Sequence, residues 1–213
     1  MQNYMLGYAT EKHKKYWQER NIDWKSAYLS THNHPHRQMI LWALGSFQWF
    51  SLMEMGCGPG PNLVNIVRNF KNKQLGGIDV NKDAIELANK TLTGAYFKVG
   101  SVEDIPMSDK ATDVILSDMC LIYIDPRKIH DTIKEISRVA RTSIVFCEFH
   151  SDNWWERLQF RLKTGYNAYN YKTLLTKHGF YDIRIIKIPP DMWPGGEPQK
   201  TFGYIIIAKA PKK

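Results

Sequence analysis

The sequence predicts an α/β fold, a doubly wound, mainly parallel sheet of seven strands with one antiparallel strand, preceded by N-terminal helices. Three observations carry this. Between about residues 50 and 149, short β-rich runs alternate with stretches of helical apolar spacing, the pattern of βαβ units. The first run, Ser51 to Met55, closes on a glycine-rich turn whose Pro61 stands at the first turn of the following helix. The last two runs, Tyr181 to Ile188 and Thr201 to Lys209, are joined by a Pro/Gly-rich loop without a helix, so they form an antiparallel pair on an otherwise parallel sheet.

The elements follow in order. After the first strand, Leu63, Val64, Ile66, Val67 and Phe70 show helical spacing, and Gln74 to Asp79 is a second strand ending in a carboxylate. Asn81 caps a helix carrying Ala84, Ile85, Leu87 and Ala88. Strands at Ala95 to Val99 and Thr112 to Ser117 come next, with Asp113 read as a turn residue before the latter. Asp125-Pro126 opens a helix through Ile129, Ile133, Ile136 and Val139, and Ser143 to Phe149 is the fifth strand. An aromatic, basic stretch follows, then a helix near Tyr171 to His178 stopped by Gly179. Before residue 50 only helical material is visible, near Tyr8 to Arg20 and His36 to Phe47. The whole reads as one domain over 1–213: a helical cap at 1–49, a cofactor-binding core at 50–150, and substrate-side helices with the C-terminal strand pair at 151–213.

The composition, 43% hydrophobic and 23% charged, is that of a chain able to bury a core. It has no apolar run of roughly 18 residues for a membrane span and no signal-type N-terminus, so a cytoplasmic location is expected. Cys57, Cys120 and Cys147 are scattered singly, which fits reduced thiols and neither a disulfide framework nor a metal site. The net charge of +8 is unevenly spread. Residues 150–213 carry 11 Lys/Arg against 5 Asp/Glu, whereas 51–149 carry 12 against 13, which points to an anionic partner for the flanks.

Glu54-Met55-Gly56-Cys57-Gly58-Pro59-Gly60 is where a cofactor should sit, because its backbone can approach a ligand and its free amides favour a carboxylate. Asp79, about 20 residues on at the end of the second strand, is placed to bind ribose hydroxyls. A nicotinamide fingerprint wants a glycine after two further residues, but Pro61 breaks that spacing to GxGxG. Here the chain resembles the Rossmann-like class I methyltransferases that use S-adenosyl-L-methionine (SAM), specifically the small-molecule type. The resemblance rests on Glu54 to Gly60, Gly77-Ile78-Asp79-Val80, Gly100 to Pro106, Asp113 to Ile124 and Lys134 to Glu148. It implies that Gly56, Cys57, Gly58 and Gly60 cradle the methionine part of SAM with Glu54 supporting them. It also implies that Asp79 holds the ribose, Val80 packs on adenine, and Asp118 contacts the methionine moiety and begins the substrate site. Gly100-Ser101-Val102-Glu103 departs from the family's Gly-Asp-Ala pattern, leaving the Val102 amide and Glu103 to read the adenine.

Arg37 is a candidate for SAM's carboxylate, since a guanidinium matches that group bidentately. His32 to Arg37 holds three histidines, but Pro35 interrupts it and no acid or cysteine is near in sequence. It reads as a helix-opening segment aimed at the active-site mouth, and no metal is expected. His150, just after the fifth strand, is the candidate general base, with Asp118 as a second catalytic candidate. Trp154, Trp155, Tyr166, Tyr169 and Tyr171 fit helical core packing better than a lid or substrate wall. The expected activity is methyl transfer to O or N of a small acceptor, anionic in character. RNA methylation and a non-catalytic SAM-binding partner subunit are the alternatives, and oligomeric state is unassigned.

Overall fold

The structure is a computed structural model that describes residues 10–212. Its elements are α1 (Thr10–Gln18), α2 (Trp24–Ala27), α3 (His36–Gly45), β1 (Ser51–Met55), α4 (Pro61–Asn69), β2 (Gln74–Asp79), α5 (Lys82–Thr91), β3 (Tyr96–Val99), β4 (Thr112–Asp118), α6 (Ile129–Val139), β5 (Ala140–Phe149), α7 (Trp154–Thr164), α8 (Tyr171–Lys177), β6 (Tyr181–Lys187), α9 (Glu197–Phe202) and β7 (Gly203–Lys209). Tyr8, where the first helix was expected to begin, lies outside the described residues.

The strand order is β3-β2-β1-β4-β5-β7-β6. β7 runs antiparallel to both β5 and β6, and β1 to β5 are parallel, as the sequence predicts, but the connection read as free of helix holds the short α9, which delays β7 to Gly203. The central strands are buried on both faces, so they read as continuous apolar runs whose alternate residues feed opposite cores. Met53, Ile115, Ile144 and Phe146 pack with α6 and α8 on one face. Leu52, Val114, Leu116 and Val145 pack with α3 and α4 on the other.

Several boundaries differ from expectation for local reasons. β5 begins at Ala140, three residues early, with a register shift against β4 between Thr112 and Val114. Asp113 is inside β4 rather than before it. Its carboxylate accepts the Phe50 and Ser51 amides (2.8 and 3.0 Å) and pairs with Arg141 (2.8 Å), tying the sheet together at the end away from the glycine turn. Pro126 does not open α6. Asp125 instead accepts the Arg127 amide in a tight turn, and the helix starts at Ile129. The aromatic, basic stretch is a regular helix, α7, capped by Asn153 at one end and by Gly165 with φ +78° at the other. Tyr169 and Tyr171 are core residues, as expected, but Trp154 and Trp155 are 64% and 50% exposed.

Candidate active site

Strand order reverses between β1 and β4, which opens a crevice at their carboxyl ends. The turn after β1 lies there. At Gly56, φ is +66° and an added Cβ would stand 2.6 Å from Cys120 Sγ, so only glycine fits. At Gly58, φ is +51° and an added Cβ meets nothing within 4 Å, so the backbone faces open space. Asp79 braces the turn, accepting the Gly58 amide at 2.8 Å on one oxygen and the Asn81 amide at 2.9 Å on the other. Burial raises its pKa, and those amides work in the opposite direction. Each oxygen keeps lone-pair capacity for a ligand.

The crevice widens into a cavity of about 350 Å³. Arg37, Glu54, Gly56, Cys57, Gly58, Asp79, Val80, Ser101, Val102, Glu103 and Asp118 all line it. The structure therefore gathers eleven of the thirteen site residues read from the sequence. Gly60 is not in the lining, and its α-carbon faces Leu92 and Phe97, where it serves the turn into α4. His150 is not there either. It is buried with Nδ1 3.0 Å from the Tyr169 carbonyl oxygen, and burial depresses its pKa. It braces the chain before α8 and does not face an acceptor in this cavity. Glu103 is held by Lys128 at 3.1 Å, while Ser101 Oγ accepts the Glu103 amide at 3.2 Å.

One wall is a buried polar network assembled from four segments. Arg37 Nη1 donates to Asp118 Oδ2 (2.7 Å) and to Asn62 Oδ1 (2.6 Å), and its Nε donates to the Thr31 carbonyl (3.1 Å). Asn62 Nδ2 donates to Glu54 Oε1 (2.6 Å) and Asp118 Oδ2 (3.0 Å), and His36 Nε2 lies 3.1 Å from that same oxygen. Arg37 is thus committed to Asp118 and is not a free clamp. Burial opposes ionisation of Asp118, but the charges of His36 and Arg37 outweigh it and hold the carboxyl well below the usual carboxylate range. Glu54 has no such cation in contact, and burial pushes its carboxyl up to about 8. Among the described residues Glu54 Oε2 and Asp118 Oδ1 have no hydrogen-bond partner. Met119, next to Asp118 in the cavity wall, holds a left-handed φ of +54°, the kind of local strain that concentrates at functional sites.

Another part of the lining is aromatic. Trp17, Trp24, Tyr28, Tyr123 and Tyr166 line it, with Trp17 edge-on to Tyr123 at 5.3 Å. Asn81, besides capping α5, donates from Nδ2 to the Trp17 and Arg20 carbonyls (2.8 and 2.9 Å), and this ties α1 to the segment beside Asp79. Trp193 stacks on His36 with ring centroids 4.1 Å apart.

Residues 52–143 match the family described as a methyltransferase domain. The chain is 31% identical over 92 residues to the fatty-acid O-methyltransferase of Mycolicibacterium smegmatis, covering 42% of this chain and 33% of that protein. It is 25% identical over 111 residues to the ajmaline N-methyltransferase of Rauvolfia serpentina, covering 48% and 37%. The chain thus spans about a third of the length of the curated relatives it matches. Among solved structures, geranyl diphosphate C-methyltransferase from Streptomyces coelicolor A3(2), in complex with Mg2+, geranyl diphosphate and S-adenosyl-L-homocysteine, superposes with a TM-score of 0.70 at 15% identity, covering 98% of this chain and 100% of that one. The putative methyltransferase of Haloferax volcanii, in complex with the Trm112 methyltransferase activator, gives 0.66 at 18% identity, covering 90% and 97%.

Residues 52–143 are thus similar to a methyltransferase domain, and the fold is the one seen in SAM-dependent methyltransferases.

Among the cavity's residues, sequence reading missed Asn62, Trp193 and the aromatic wall. The histidine segment had a visible signal, its expected aim at the mouth, and His36 does reach the cavity. Asn62 and Trp193 had none, because each acquires its role only through contacts distant in sequence. His36, Asp118 and Cys147 place ligand-type atoms within 4.8 Å of one another. The guanidinium of Arg37 already neutralises Asp118, and burial pushes the Cys147 thiol well up, so this cluster is a poor cation site.

Proposed function

We propose that this chain transfers a methyl group from SAM to an oxygen or nitrogen of a small acceptor with anionic character. The observation that supports this best is the pair of buried, unpartnered carboxylate oxygens, Glu54 Oε2 and Asp118 Oδ1, in the wall that also holds Asp79 and the open turn at Gly58. A ligand bearing an ammonium and a ribose would satisfy that wall. SAM supplies a methyl already activated on a sulfonium, so the protein has chiefly to position and enclose it.

In this reading Asp79 accepts the ribose hydroxyls, the Gly56–Gly58 backbone receives the methionine portion, and Glu54 Oε2 takes the ammonium. Val80 packs on the adenine and the Val102 amide reads its edge, with Cys57 and Ser101 as walls and Glu103 neutralised by Lys128. Asp118 is held ionised, so it is a poor base but a strong hydrogen-bond acceptor. It orients the acceptor's O–H or N–H and stabilises positive charge developing there. His36 and Arg37 fix its position. Lys14 lines the same cavity and offers positive charge to an anionic part of the acceptor.

Titration calorimetry tests the cofactor half of this reading. SAM is expected to bind and NADH not to bind, and Asp79→Ala should weaken SAM about a hundredfold by removing two charged hydrogen bonds. Unchanged affinity in that variant at an unchanged melting temperature would sink the assignment.

Glu54 gives a second expectation. Its carboxyl, at about 8 in the free protein, is mostly protonated at neutral pH and must ionise to receive an ammonium. SAM binding should therefore release a proton, and affinity should rise with pH from about 6 to about 7.5. Calorimetry in buffers of different ionisation enthalpy reads that proton directly. Glu54→Gln should abolish the release, and a release that persists there would remove Glu54 from this role.

A further inference from the structure

Helix α7 has two apolar faces. Its inward residue, Phe160, is 6% exposed and packs with Ile122, Phe149 and Ala168. At about 100° per residue, Trp154, Leu158, Leu162 and Trp155 share one arc on the other side. They are 64%, 38%, 48% and 50% exposed, and the two indoles meet edge-on at 5.4 Å. One arc of four large apolar side chains left in water on a single helix is unlike the scattered exposed hydrophobics of an ordinary surface.

Charge says what covers it. Arg157 and Arg161 lie beside the arc on one edge and Lys163 beyond Gln159 on the other. The helix's one acid, Glu156, is turned back onto Ser151 Oγ at 2.8 Å. Lys172 and Lys177, both exposed, follow on α8, within the segment that carries 11 Lys/Arg against 5 Asp/Glu. Arg161 lies 3.6 Å from the buried Asp125 and Arg157 donates to the Ser151 and Asp152 carbonyls, so both are held at the border of the stripe, and tryptophan and leucine on one side with cations along the borders is the make-up of a helix that lies in an interface. A stripe one helix wide also falls well short of the roughly 800 Å² per partner that a stable protein interface buries. Tyr166, two residues after α7, lines the cavity, so a surface meeting this stripe lies next to the cavity mouth.

We propose that the outer face of α7 docks the protein on a lipid bilayer bearing anionic headgroups, with Trp154, Trp155, Leu158 and Leu162 in the interface and Arg157, Arg161 and Lys163 against the headgroups. Among the described residues no helix is long and apolar enough to cross a membrane, so the contact is one of surface docking.

Flotation of the full chain with vesicles tests it. Vesicles of phosphatidylcholine with phosphatidylglycerol should carry the protein, and phosphatidylcholine alone should carry about tenfold less. The double substitution Trp154→Ala and Trp155→Ala should lower binding to the anionic vesicles by about tenfold or more, and Lys163→Glu should lower it by a smaller factor. Both variants should retain the wild-type melting temperature and SAM affinity, since these side chains point away from core and cavity. Absence of flotation with anionic vesicles, or flotation unaffected by the tryptophan pair, overturns the proposal. So does a dimer in light scattering that Leu158→Glu dissolves without any flotation, because the face then belongs to a second copy.

Discussion

Arg37→Ala should destabilise the fold by about 3–5 kcal/mol at neutral pH, since it leaves the Asp118 carboxylate buried without its closest cation. Asp118 is 7% exposed in its side chain and receives three donors on Oδ2, of which the guanidinium is nearest at 2.7 Å. The sign of the pH dependence follows. In the wild type the carboxyl titrates below its unfolded value, so its ion pair contributes stability above about pH 4, and that contribution is lost as the pH falls. The gap between wild type and variant should therefore be widest near neutrality and shrink on acidification below about pH 4. Urea unfolding across pH measures it. The double variant Arg37→Ala/Asp118→Asn, which removes the stranded charge, should recover part of the loss, and a strictly additive double variant would falsify the coupling.

Asp118→Asn should lower kcat by about 10²-fold, the scale of losing one preorganised charge aimed at the reacting centre. The amide is isosteric and still accepts from Asn62 and Arg37, so the wall keeps its shape. What is lost is negative charge at Oδ1, the atom left without a partner. If Asp118 orients and stabilises, the loss falls mainly on kcat, and the pH profile keeps its shape because the carboxyl lies outside the titration range. If Asp118 were instead a general base, the acid limb of the profile would vanish with the substitution. Single-turnover methyl transfer across pH separates the two, and an unchanged kcat would remove Asp118 from the chemistry.

The sheet and the cofactor turn were legible in the sequence because their signals are local. Alternate residues of Val114 to Leu116 and Ile144 to Phe146, with Leu52, Met53 and Met55 of β1, feed two cores, so these strands had to be largely apolar, with Glu54 the exception at the cavity wall. The glycines and Asp79 announced the turn because backbone conformation and strand-end position are properties of short segments. Helix α7 was less legible, because its apolar residues serve two opposite faces and give no single stripe.

By itself, then, the sequence determined the order of strands and helices, the single antiparallel strand, and the glycine turn with the strand-end carboxylate of Asp79. Only the tertiary structure decided which side chains share the cavity. Arg37, Glu54, Asn62 and Asp118 lie as far as 81 positions apart yet form one hydrogen-bonded wall, and their ionisation follows from that meeting. It also moved His150 out of the site, because a residue at the carboxyl end of a strand can be claimed by the chain that packs over it, here Tyr169 and Tyr171. Local pattern fixes backbone, whereas burial, charge and proximity depend on the whole chain, and site chemistry is made of those three.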